Sequence, residues 1–231
     1  MTGRILLVTK LKGGAGATTT VRELAVAAAA VPLRVALIDL DGQGGITRWW
    51  NRRNAQPAET VNPDLLQIAA DDLPAKVPAL RRAYDLTLID SPPTVHDTIR
   101  AIGAAADLAL VPSRPTTDDL DAVGPVVRLL RGAVDLGFVL TQIPGGGRSR
   151  DAAEAHELLA RLAPVFGRMT LRIDYPRGAG AGRTGFEAGG TAQEEVTALW
   201  QTLAERLSIQ LSRHDGIKAS RDAVGAVGGG R

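Results

Sequence analysis

Apolar residues along the chain fall into short, nearly unbroken runs separated by stretches with helical spacing. The runs at residues 4–9, 35–40, 86–89, 108–111 and 138–143 predict strands, with weaker ones at 65–70 and 169–173. Unbroken runs, as opposed to alternation of apolar and polar residues, are expected of parallel strands covered on both faces. Between them, helices are predicted over 18–30, from Asp71-Asp72 to about Ala83, and over 119–131, 151–162 and 192–207. Asp71 and Asp72 are candidate caps for the second helix, whose pattern Pro74 and Pro78 weaken. Trp49 and Trp50 read as ordinary packing of a short helix, and the glycine-rich stretch 175–183 as a loop outside the core. This alternation predicts an α/β fold: a doubly wound, mostly parallel sheet with helices on both faces and right-handed crossovers.

Composition narrows the picture. A chain of 231 residues that is 45% hydrophobic can bury a sizeable core as one domain, here 1–211, followed by a flexible basic tail at 212–231. The tail carries Arg213, Lys218, Arg221 and Arg231 against Asp215 and Asp222, so the net charge of +2 resides there and the body is formally neutral. Any nucleic-acid contact must then come from a local patch. There is no cysteine, which excludes disulfide and thiolate chemistry, and His96, His156 and His214 show no ligand spacing. No stretch has the length of a membrane helix or the form of a secretory signal, so a soluble, cytoplasmic protein is expected. Lysine occurs only at 10, 12, 76 and 218, so two lysines beside one glycine cluster stand out from the background.

That cluster is the centre of the candidate chemistry. Residues 9–20 read Thr-Lys-Leu-Lys-Gly-Gly-Ala-Gly-Ala-Thr-Thr-Thr between the first strand and the first helix. Gly13, Gly14 and Gly16 allow consecutive N–H groups to turn toward an anion, and the helix presents its positive end to the same place. Ala15, Ala17 and Thr19 complete the loop, and the Thr18 hydroxyl is placed to hold a magnesium ion bridging two phosphates. The strict P-loop pattern fails at Leu11, in the first glycine position, and at Ala17, in the lysine position. Two further strands end in acids: Asp39-Leu40-Asp41-Gly42-Gln43 and Asp90-Ser91-Pro92-Pro93. Ligands of open α/β sheets bind at such carboxyl ends, where Asp90 suits a carboxylate that holds magnesium through water. Asp39 and Asp41 also suit turn formation.

Lys12-Gly13-Gly14-x-Gly16 with Thr18 and Thr19 resembles the deviant P-loop (deviant Walker A) of ParA/MinD-type ATPases. The Asp39-x-Asp41-x-Gln43 and Asp90-x-Pro92-Pro93 elements and the proline-rich loop 112–118, with Asp118, resemble that family's further motifs. The likeness spans residues 4–207 and is nearest to small ParA partition proteins. It implies ATP with Mg2+ held between two protomers, Lys12 reaching the partner's nucleotide, and Asp41 helping to position the attacking water. Thr18, Asp41 and Asp90 would serve the metal, and Gln142 would read the adenine. It further implies an ATP-dependent homodimer that binds DNA without sequence preference, for which Arg148, Arg150, Arg177 and Arg183 are candidates. A ParB-like or cargo-adaptor partner, nucleoid association, and a role in plasmid or chromosome partition or in positioning cargo follow from the same likeness.

Ala17 modifies that expectation. The lysine it replaces neutralises charge on the β- and γ-phosphates, so weaker nucleotide binding and little turnover are expected. Alternatives are a catalytically dead nucleotide-binding adaptor and a related P-loop enzyme such as a cobyrinic-acid-synthase-like ligase, for which the chain is short. An iron–sulfur scaffold ATPase would lack its cysteines, and a MinD-like membrane anchor would lack apolar residues at 207–224.

Overall fold

The computed structural model describes residues 2–10, 12–56, 63–93, 97–145 and 149–211. Seven strands form one sheet in the order β3-β2-β4-β1-β5-β6-β7. They are β1 (Arg4–Val8), β2 (Val35–Asp39), β3 (Asp64–Leu66), β4 (Leu86–Asp90), β5 (Leu108–Ser113), β6 (Leu136–Ile143) and β7 (Val165–Thr170), and every pairing is parallel. The helices are α1 (Ala17–Ala29), α2 (Gly45–Asn54), α3 (Leu73–Ala83), α4 (Asp97–Ala105), α5 (Thr117–Leu130), α6 (Arg150–Ala160), α7 (Asp174–Gly180), α8 (Gly185–Ala188) and α9 (Gly190–Arg206).

The apolar runs are explained by the two cores. Side chains alternate across a strand, and in β1 Leu6 and Val8 enter one core while Ile5 and Leu7 enter the other. Strand β5 divides likewise, Leu108 and Leu110 against Ala109 and Val111. The first core lies under α1, α2, α8 and α9, and the second under α3, α4, α5 and α6. Helix α1 is buried nearly all round, and its alanines let it lie close to the sheet. Parallel pairing throughout gathers the strands' carboxyl ends, with the loops after β1, β2, β4 and β6, along one edge.

Several expectations need correction. The strand expected at 65–70 is only Asp64–Leu66: it is the sheet edge, pairs with Ala36–Ile38 alone, and gives way to a 3-10 turn at Ala70–Asp72. Asp72 holds the N-cap position of α3 but its side chain makes no capping bond. The last strand is Val165–Thr170, not 169–173. Gly137 makes room for Phe166, since a Cβ there would fall 2.1 Å from the ring, and Leu171 and Ile173 emerge beyond the strand 64% and 62% exposed.

The glycine-rich stretch 175–183 is not an outlying loop. It forms α7, with Tyr175 buried, and its connection to α8 is fastened to α1 and α2. Arg53, 2% exposed, lies over the Trp49 ring, donates to the Gly182 carbonyl, and makes a two-point ion pair with Glu187 at 2.9 Å on each oxygen. Trp49 Nε1 donates to the Arg183 carbonyl, which bears out its reading as a packing residue. Glu187 in turn closes a capping box with Thr184 at the start of α8.

Glu23 of α1 completes the junction by accepting the N–H groups of Gly185 at 3.0 Å and Phe186 at 2.8 Å. Burial pushes its carboxyl up from 4.5 to about 7, against the pull of those N–H groups and of Arg22. The folded chain thus holds a proton that the unfolded chain releases earlier. This contribution to stability is complete below 4.5 and is lost as pH rises through about 7. Urea denaturation is expected to show a stability loss of up to about 3 kcal/mol across that window from this group, absent in Glu23→Gln. A slope unchanged by the substitution would remove Glu23 as its source.

Candidate phosphate-binding site

The glycine loop runs from the end of β1, in the middle of the sheet, into α1. Gly14 and Gly16 adopt φ of 88° and 87°, left-handed conformations that side chains resist. Gly16 is also the N-cap of α1, where no side chain caps the first N–H groups, so they remain available to an anion. Strand β6 clasps the loop from the side. Thr141 Oγ1 donates to the Ala15 carbonyl at 2.8 Å, and Gln142 Nε2 donates to the Gly14 carbonyl at 2.5 Å. Gln142 itself sits at φ 50°. Its amide is therefore engaged with the loop, and a role in reading a base would need that bond released. Gly13 faces open space, Thr19 accepts from Arg22 at 3.3 Å, and Ala17 opens α1 with its methyl in the core. Leu11 lies outside the described residues.

The three chemistry-bearing turns converge. Thr18 Oγ1 donates to Asp90 Oδ2 at 2.6 Å, linking the start of α1 to the end of β4. Asp90 is fully buried. Asp41, from the turn after β2, joins them through a residue that sequence reasoning placed beside the loop without giving it a role. Lys10 Nζ lies 3.0 Å from Asp41 Oδ2 and 3.3 Å from Asp90 Oδ1, and donates to the Ser91 carbonyl at 3.2 Å. The scarcity of lysine was the one sequence signal pointing to it.

The two acids of the Asp39-x-Asp41 element divide the work. Asp39 takes the turn-forming part: it accepts from the Asp41 N–H and from both the N–H and hydroxyl of Thr47 in α2. Asp41 faces the site. Burial would raise its carboxyl, but the Gln43 N–H and the Lys10 ammonium hold it below the usual carboxylate range. For Asp90 burial prevails and the carboxyl is raised, although Lys10 and the Thr18 hydroxyl oppose the shift.

Thr18, Asp41 and Asp90 are of the right chemistry for Mg2+, which takes hydroxyl and carboxylate oxygens. As arranged they do not fit it. The Lys10 ammonium stands among the carboxylates, and the Thr18 hydroxyl is committed to Asp90.

Other expected residues lie around this centre. Lys12 pairs with Asp118 of its own chain at 3.0 Å, both exposed, at the start of α5. Arg114 Nε holds Asp119 at 2.7 Å and fixes the proline-rich loop just before it. A cavity of about 210 Å3 beside the loop is lined by Gly16, Thr19, Gln142, Leu171, Arg172 and Pro176. Of the basic candidates, Arg150 is exposed and paired with Glu154, while Arg177 and Arg183 are exposed on and just after α7. Arg148 and the tail 212–231 lie outside the described residues. Among the described residues no helix is long and apolar enough to cross a membrane.

Comparison with known proteins agrees with this fold. A protein-family profile described as VirC1 protein matches residues 4–169. The chain is 36% identical over 112 residues to maintenance of carboxysome distribution protein A of Gloeobacter kilaueensis, covering 45% of this chain and 46% of that protein. It is 33% identical over 129 residues to the chromosome-partitioning ATPase Soj of Thermus thermophilus, covering 44% and 51%. The matches thus span about half the length of these curated relatives. Among solved structures, an ATP complex of a McdA variant from Cyanothece superimposes with a TM-score of 0.73 at 20% identity, over 90% of this chain and 97% of that one. That likeness shows the shared fold, and the profile covers the β1-to-β7 body that carries the glycine loop and both acidic turns. The chain belongs to the VirC1 family, within the ParA/MinD-type ATPases.

Proposed function

We propose that this protein is an ATP-binding switch of the partition and positioning kind. The observation that carries the reading is the 2.6 Å contact between Thr18 and Asp90, with Asp41 joined to them through Lys10. Three sequence motifs from separate strands thereby meet at one point beside the N-terminus of α1, where a triphosphate would find backbone N–H groups. The cavity between Gly16 and Leu171 is of a size and position to take the base. The relatives named for carboxysome distribution and chromosome partitioning support cargo positioning as the task.

In this reading ATP closes two protomers face to face, and Lys12 leaves Asp118 to meet the partner's nucleotide. Exposed Arg150, Arg177 and Arg183 contact DNA phosphates without reading sequence. A ParB-like or cargo-adaptor protein releases the dimer. Size measurement with ATP, ADP and a non-hydrolysable analogue tests the switch without assuming turnover. A dimer is expected with ATP and the analogue only, and that dimer alone is expected to bind random duplex, more weakly as salt rises. One size under all three conditions would sink the proposal. Ala17 favours a second reading within the same site, a nucleotide-binding adaptor that does not hydrolyse, which the dimerisation result supports if phosphate release is absent.

A further inference from the structure

We propose that Lys10 is the resident cation of this site and stands in for a divalent metal. The Lys10 ammonium donates to Asp90 Oδ1 at 3.3 Å and to the Ser91 carbonyl at 3.2 Å, and Asp41 Oδ2 stands 3.0 Å away as a second ion-pair partner. The side chain is only 6% exposed, so this is a buried charge paired with two carboxylates. It stands among the oxygens that a metal would need. Mg2+ requires near-octahedral oxygens at about 2.0–2.1 Å and surrenders its waters reluctantly. To enter, it would have to displace Lys10 from both carboxylates and take Thr18 from Asp90, while remaining beside a like charge on the end of β1.

The same lysine answers the gap at residue 17. A site with two inward carboxylates and no loop lysine would repel a triphosphate, and Lys10 neutralises part of that acid charge from the strand side. The consequence is that Thr18, Asp41 and Asp90 act as a holder for a lysine. Phosphate binding then depends on backbone N–H groups and on Lys10, and not on free divalent ion.

The test has two arms, of which only the second rests on the triphosphate reading. In the first, Mn2+ is titrated into the nucleotide-free full chain and followed by electron paramagnetic resonance. The wild-type chain is expected to show no Mn2+ site that Asp90→Asn removes. Lys10→Met, which bares the acid pair, is expected to bind Mn2+ at least about tenfold more tightly than wild type. A wild-type site abolished by Asp90→Asn overturns the proposal, and that comparison needs no Lys10 variant should Lys10→Met fail to fold. Equal Mn2+ binding by wild type and Lys10→Met also overturns it.

In the second arm, a fluorescent ATP analogue is bound in Mg2+ and in EDTA. Wild-type affinity is expected to agree within about threefold between the two, and a loss of about tenfold or more in EDTA overturns the proposal. Absence of nucleotide binding in both conditions would reject the triphosphate site itself, and the Mn2+ titration would still decide the role of Lys10.

Discussion

Ala17→Lys is expected to tighten ATP binding by about ten- to a hundredfold and to raise phosphate release above the wild-type level. Position 17 is the first residue of α1, directly after the left-handed Gly16, and its methyl is in the core, so a lysine there must run its stem out along the loop to bring the ammonium to a phosphate. A unit charge about 4 Å from a phosphate is worth up to about 4 kcal/mol at an effective dielectric near 20, before desolvation is subtracted. Half of that surviving gives the expected change. The wild-type alanine is 2% exposed, so a longer side chain also changes packing. Ala17→Met supplies similar length without charge and separates the two effects: it should leave affinity at or below wild type. Calorimetric titration with ATP, together with a phosphate-release assay, gives both readouts. A folded Ala17→Lys protein with unchanged affinity and turnover would count decisively against a triphosphate at this loop.

Arg53→Met is expected to destabilise the fold by about 3–5 kcal/mol, the range for removing one member of a buried ion pair. Its loss strands Glu187, which is mostly buried, and frees the Gly182 carbonyl and one face of Trp49. The penalty arises from the uncompensated carboxylate more than from the attraction lost. Arg53→Met combined with Glu187→Met should therefore recover part of it, a non-additivity that urea denaturation of the four chains would measure. A loss below about 1 kcal/mol for Arg53→Met would show that the ion pair contributes little to holding α2 against α8.

The sequence made the centre of the sheet legible because β1, β2, β4 and β5 are covered on both faces, and positions covered in this way are filled mainly by apolar runs. Where one face opens to solvent, the reading slipped. Met169 to Ile173 alternates as a strand should, yet the pairing with β6 begins earlier, at Val165, and leaves Leu171 and Ile173 outside. Helix α4 was missed because it follows two prolines and carries a short apolar stripe, Ile99 and Ile102. The 175–183 stretch misled because glycine and proline signal a loop locally. Its helix is imposed by distant partners: Tyr175 is held by Glu195 of α9, and Arg52 donates to the Ala179 carbonyl.

Site residues were legible where a strand's end fixed them. Thr18, Asp41 and Asp90 meet as the spacing implied, because parallel strands leave their C-terminal turns no other edge. The role of Lys10 was hidden because a lysine two residues past a strand carries no pattern, and only the fold shows which carboxylates it faces. Gln142 was read as a base contact from its strand-end position, which could not announce the hydrogen bond that tertiary geometry gives it with the loop.

The contact between Lys12 and Asp118 bears on timing. Both side chains lie largely in water, and an exposed pair of this kind is worth about 1 kcal/mol or less. Such a tether breaks and reforms far faster than two molecules can meet. In the proposed switch this tether would offer almost no resistance when a better anion arrives, so commitment to pairing would rest with the bound nucleotide and not with the release of this side chain.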